Sequence, residues 1–207
     1  MTFELWVSFA LASTVILAIP GPTVILIISY ALGQGRQTGL ATVPGVVLGD
    51  FTAMTISLLG AGAVLAASAA LFTVLKLCGA AYLIWLGIKL WRAPVPAALG
   101  GTVSKMPGGH WSMFANAYIV TALNPKGIVF FVAFVPQFVD PGAPAFAQFA
   151  VFEATFLALA GINAALWAVA AGRMSGAFAS LALRRSINRV GGALLCAAGA
   201  VTAMARQ

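Results

Sequence analysis

Three ionisable side chains, Asp50, Lys126 and Glu153, stand inside long apolar runs of a 207-residue chain in which only 7% of residues are charged. A charge at the centre of a bilayer costs about 3 kcal/mol on insertion scales. A carboxylate held there can receive an ammonium group or carry a proton, and a lysine can hold a carboxylate or neutralise an acid. A buried ion pair that only orders helices is the simpler reading. Three such groups near the expected midplane favour a substrate or proton pathway, the default for intramembrane ionisable residues.

Two proline breaks accompany these charges. One reads Leu17-Ala18-Ile19-Pro20-Gly21-Pro22-Thr23, the other Ala122-Leu123-Asn124-Pro125-Lys126-Gly127. Proline has no N–H, so carbonyls before Pro20 and Pro22 lose their helical donors. The helix restarting near Thr23 presents unpaired N–H groups with partial positive charge, which would stabilise an anion such as a carboxylate. Freed backbone groups survive in lipid only beside protein or a wet cavity, and paired broken helices point to a transporter's binding site. The expected substrate or transport residues are therefore Pro20, Gly21, Pro22, Thr23, Asp50, Asn124, Pro125, Lys126 and Glu153, with Asp50 and Glu153 as candidate proton carriers. Asp50 ends a ladder of Gly35, Gly39, Gly45 and Gly49, with Pro44 adding a kink. Gly45, Gly49 and Gly79 are assigned to close helix packing. Asn116, Asn163, Thr52 and Thr55 suit either a path lining or interhelical hydrogen bonds. Tyr82, Trp85 and Trp91 read as interface anchors or core, and His110 as a loop residue.

The elements that must position these residues are membrane helices. Hydrophobic residues make up 62% of the chain, whereas an ordinary soluble domain is roughly a quarter charged. Windows of about 20 apolar residues, enough to cross roughly 30 Å of hydrocarbon, recur throughout. The expected spans are about 4–29, 40–66, 70–91, 111–136, 145–171 and 187–205. Met1-Thr2-Phe3-Glu4 lacks the basic residue of a cleavable signal, so the first apolar run counts as a span. A Pro- and Gly-rich connection, 93–110, divides a first three-helix unit (1–92) from a second (111–207). The net charge of +7 lies in short loops, as topology determinants do, which argues against a nucleic-acid partner. Cys78 and Cys196 are isolated in apolar helices and read as small buried hydrophobes. No cofactor and no metal ligand set is expected.

The halves resemble each other. Pro20 and Pro125 lie 105 residues apart, Asp50 and Glu153 lie 103 apart, and Lys76-Leu77-Cys78-Gly79-Ala80 resembles Arg189-Val190-Gly191-Gly192-Ala193. An odd number of spans per half turns the second copy upside down. The expected fold is thus an all-α integral membrane protein of six helices in two inverted three-helix repeats, with broken first and fourth helices. Arg36, Lys89, Arg92, Lys105, Arg173, Arg184, Arg185 and Arg189 collect on one side, and only Lys76 and Arg206 near the other. The basic side should be cytoplasmic and both termini outside. Small-residue faces permit a homodimer.

Together these motifs resemble the LysE/RhtB family of bacterial amino-acid exporters over essentially the whole chain. The carriers are Pro20-Gly21-Pro22, the glycine stretch from Gly35-Arg36 to Gly49-Asp50, Gly79-Ala80-Ala81-Tyr82-Leu83 with Gly87, and Asn124-Pro125-Lys126 followed by Phe130-Phe131 and Pro136-Gln137-Phe138. Pro44 is a departure within the glycine stretch. The resemblance implies export of amino acids or related small metabolites across the bacterial inner membrane, driven by the proton motive force. A metal-ion exporter is the nearer alternative, opposed by the scarcity of histidine and paired carboxylates. An intramembrane enzyme is the farther one, opposed by the lack of a nucleophile with its base.

Overall fold

A computed structural model describes residues 2–67, 69–93, 109–140, 142–173 and 181–204. Helix α1 (Phe3–Ala18) is capped by Thr2, whose hydroxyl accepts the Leu5 N–H at 3.3 Å. The chain then bends by 53° into α2 (Pro22–Gln34), which carries proline in its first turn, where a missing N–H costs nothing. Gly35, at φ 95°, turns α2 into α3 (Arg36–Ala41); that left-handed conformation favours glycine. Then follow α4 (Val43–Ala67), α5 (Ala69–Trp91), α6 (His110–Ala122) and α7 (Pro125–Val129). The α7 helix runs directly into a π-helical segment, Phe130–Phe134, and one 3₁₀ turn, Val135–Phe138. Helices α8 (Ala145–Arg173) and α9 (Leu181–Met204) complete the described chain.

Among the described residues, Arg36–Gly60, His110–Phe138 and Ala145–Arg173 are each long and apolar enough to cross a membrane. The bent pair α1 and α2 makes a fourth such unit, and Leu77–Trp91 of α5 is a shorter apolar helix. The outer faces carry large apolar side chains, among them Leu11, Ile25, Ile56, Ile119 and Leu166, which suits hydrocarbon surroundings rather than water. The first span reaches further than expected, to Gln34, and the last begins earlier, at Leu181. The fourth span is interrupted at Leu123 and Asn124, between α6 and α7, yet His110–Phe138 taken together is long and apolar enough to cross a membrane. Residues 94–108 of the connection, with Lys105, lie outside the described residues, as do Ser68, Arg206 and the side chains of Lys76 and Arg184.

Glycine sets the helix spacing. A Cβ on Gly45 would collide with the Phe114 carbonyl oxygen, and one on Gly49 would lie 2.8 Å from the Tyr118 carbonyl oxygen, so α4 touches the backbone of α6. Gly79 of α5 meets Ala133 of the π-helical segment. Helices α5 and α9 interlock reciprocally: a Cβ on Gly87 would stand 2.6 Å from the Gly192 carbonyl oxygen, and one on Gly192 2.5 Å from that of Gly87. The main core is aromatic. Phe9, Phe130, Phe131, Phe134, Phe152 and Phe156 are buried together with Met54, Leu58 and Leu83.

Candidate functional site: a cavity between two broken helices

The first break leaves carbonyls to be satisfied. Ile16 O would ordinarily accept from the N–H four residues on, but that residue is Pro20. Lys126 replaces it: its Nζ donates to Ile16 O at 3.0 Å and to Ile19 O at 2.7 Å. The Leu17 carbonyl accepts instead from Nδ2 of Asn163 on α8, at 3.1 Å. Gly21 makes room for the lysine, since a Cβ there would lie 3.3 Å from both Cε and Nζ of Lys126. Lys126 is only 9% exposed. Its charge is thus held by main-chain oxygens of the opposite break, and one of its three N–H donors is left over.

The second break is organised by Asn124. Its Oδ1 accepts the Lys126 N–H at 3.1 Å, starting α7, while its Nδ2 donates to Thr23 Oγ1 at 3.2 Å. Thr23 Oγ1 also shares a hydrogen bond of 3.2 Å with Thr121 Oγ1. The two breaks, a hundred residues apart in sequence, therefore touch at Thr23, Asn124 and Lys126. Gly21 gives α2 no side-chain cap, so the first-turn N–H groups of Thr23 and Val24 have no intrahelical acceptor.

Asp50 faces this junction from α4. It is 7% exposed, and Gly49 beside it seats α4 against the end of α6. Asp50, Lys126, Asn124, Asn163, Thr23 and Gly21 line one cavity, whose remaining wall is apolar, including Ile16, Ile27, Val46, Phe130 and Phe156. Its volume is about 40 Å³, room for about three waters at 10–15 Å³ each. The cavity must widen to admit anything larger. Pro20, Pro22 and Pro125 border a second hollow of about 230 Å³, which shares Gly21, Asn124 and Lys126 with the first and reaches Lys89 of α5 and Ala93 just beyond it.

Glu153 stands apart from both. Its Oε1 accepts from Thr55 Oγ1 at 2.6 Å, and it lines a different hollow with Leu58, Leu59, Phe146 and Phe149. Thr55 is five residues beyond Asp50 on α4, about 7.5 Å along the helix and about 140° around it. The structure thus gathers Gly21, Thr23, Asp50, Asn124 and Lys126 and leaves Glu153 outside. Several other polar residues pair between helices: Asn116 Nδ2 donates to Tyr30 Oη at 2.9 Å, and Tyr118 Oη to Thr52 Oγ1 at 3.4 Å. His110 is the exposed first residue of α6, and both described cysteines are free thiols. Among the described residues no three His, Cys, Asp or Glu side chains converge as metal ligands.

Asn163, expected to line a path or to bond between helices, does both, as a direct partner of the first break and part of the cavity wall. Ser13 escapes a reading of the sequence: its hydroxyl is fully buried on α1 without a hydrogen-bond partner among the described residues, at a cost of about 1–3 kcal/mol.

The model of the LysE type translocator family matches residues 14–206. A homoserine/homoserine lactone efflux protein of Salmonella typhimurium is 32% identical over 207 residues, the whole of both chains. A membrane protein of Vibrio cholerae without assigned activity is 30% identical over 206 residues, again the whole of both. A leucine efflux protein of Salmonella choleraesuis is 30% identical over 138 residues, 66% of this chain and 64% of its own. No solved structure matches the chain.

Proposed function

Because the chain belongs to the LysE type translocator family, we propose that it exports small amino acids with uncharged side chains, or close derivatives, from the bacterial cytoplasm. The observation that carries this reading is the meeting of the two breaks in one cavity with a single carboxylate and a single lysine. A zwitterion fits that charge set. Its ammonium group goes to Asp50, and its carboxylate goes to the first-turn N–H groups of α2 and the remaining donor of Lys126. Among the described residues, the rest of the wall offers apolar contact, two amides and the Thr23 hydroxyl, with no second charge for a basic or acidic side chain. Of the relatives' named cargoes, homoserine and leucine are of this kind, whereas homoserine lactone keeps the ammonium group without a free carboxylate.

Export proceeds by alternating access in exchange for protons, with Asp50 and Glu153 as the acids of the proton path. The architecture is six spans in two inverted repeats. Two facts support it: the breaks at Pro20 and Pro125 border one hollow, and α4 and α8 carry acids 103 residues apart. Arg36 and Gly172, which precedes Arg173, pack together at one end, and the positive-inside rule makes that end cytoplasmic. Both termini then face outward.

The test is a growth-inhibition screen of cells overproducing the chain, against amino acids, dipeptides and toxic analogues. Resistance to neutral amino acids or their analogues, with a lower intracellular level of the same compound, is expected. Resistance confined to metal salts or to basic amino acids would contradict the reading.

A further inference from the structure

The hollow at Glu153 is larger than the central cavity, about 320 Å³, and the central chemistry makes no use of it as a binding place. Its carboxylate lies half-buried inside a membrane-length helix, two turns from the Ala145 end of α8. Thr55 Oγ1 supplies one hydrogen bond, whereas a carboxylate accepts up to about four. The other named linings, Leu58, Leu59, Phe146 and Phe149, are apolar. An acid in such a place suits a compact cation that brings its own donors, as an ammonium group does.

One apolar wall reaches both this hollow and the central cavity: Ile16, Phe130 and Phe156 of the cavity and Leu58 of the hollow belong to one cluster, and Phe149 of the hollow packs against it. Ser13 adjoins that wall, sharing the buried stripe of α1 with Phe9, four residues before, and Ile16, three residues after, both members of the cluster. A wall with no other role would be served as well by alanine there, without a buried hydroxyl lacking a partner. A polar group passing through the wall would give Ser13 its partner.

We propose that the Glu153–Thr55 hollow is a second, outer ligand site, which receives the substrate's ammonium group after the substrate leaves the central cavity past Ser13. This rests on the export reading above, which places the Ala145 end of α8 outside.

The test uses right-side-out membrane vesicles containing the full-length chain, loaded with radiolabelled L-homoserine or L-leucine. Efflux is measured against rising concentrations of the unlabelled probe outside. For Glu153→Gln, read as exchange of internal label for external unlabelled probe, which needs no net proton transfer, the external half-saturating concentration rises at least tenfold, while the internal one stays within twofold of wild type. Glu153→Asp, which keeps the charge, recovers most of the external sensitivity. Ser13→Ala lowers the maximal rate at least fivefold without lowering the thermal midpoint. An external sensitivity unchanged in Glu153→Gln, or both constants moving together, overturns the outer site. So does a change confined to the dependence on external pH, which would make Glu153 a proton carrier alone. A wild-type rate in Ser13→Ala overturns the route. A wild-type chain that moves neither probe overturns the export reading itself, and this inference with it.

Discussion

In the proposed transport site, Lys126 would serve structure and transport together. Burying an unpaired ammonium is prohibitive, and the Ile16 and Ile19 carbonyls offset that cost through two charge-assisted hydrogen bonds. Lys126→Met keeps the length and removes the donors, leaving two main-chain oxygens unpaired. We expect a loss of about 2–5 kcal/mol of stability, read as a lower thermal midpoint in detergent, together with loss of export. Asp50→Asn should behave differently: the shape is kept and the charge removed, so the midpoint stays near wild type while export of neutral amino acids falls at least tenfold. A midpoint drop as large as that of Lys126→Met would make Asp50 a structural partner instead. The chemistry of both residues could be read from the sequence, since proline deletes donors and a carboxylate in an apolar run needs a reason. That the lysine would serve the carbonyls of the other break, and that Glu153 would turn away from Asp50, could not. Side-chain reach across helices depends on their rotation, which spacing within one helix leaves open.

Among the elements, close approach at glycine decides where the charges stand. Gly49 sets α4 on the end of α6 and so fixes the depth of Asp50. Gly49→Leu forces the helices apart and should cost about 1–3 kcal/mol or more, with export falling further than the stability loss alone explains, measured as transport per folded molecule. The start of α8 depends on a different device. Buried Gln148 accepts the Asp140 N–H at 2.9 Å and donates to the Asp140 and Ala143 carbonyls at 3.0 and 3.1 Å. The Gly142 N–H bonds Asp140 Oδ1 at 2.9 Å and holds that carboxyl below the usual carboxylate range. Gln148→Ala removes three hydrogen bonds and should lower stability by about 2–4 kcal/mol, seen as earlier proteolysis near 140–144. Element positions were largely readable, because apolar windows and prolines mark them. The π-helical turn at Phe130–Phe134 was not, since Phe-Phe-Val-Ala-Phe reads equally well as ordinary helix.

Across the molecule, two chain segments a hundred residues apart meet at one junction, and the opposed halves proposed above would account for that meeting. The repeat offsets pointed to that meeting, and the contacts among Thr23, Asn124 and Lys126 give it atoms. An epitope placed before Thr2 should be reached by antibody on spheroplasts, whereas Arg36→Cys in a cysteine-free background should react with a membrane-impermeant thiol reagent only after permeabilisation. The reverse pattern would invert the orientation and place the Glu153 hollow at the cytoplasmic end. The most direct measurement of all is equilibrium binding of L-homoserine and L-leucine to the purified chain and to Asp50→Asn, with folding checked by the thermal midpoint. If the junction of the two breaks is the substrate site, the wild type binds at least one probe and Asp50→Asn binds it at least twentyfold more weakly while remaining folded. Equal binding by the two proteins would contradict the account.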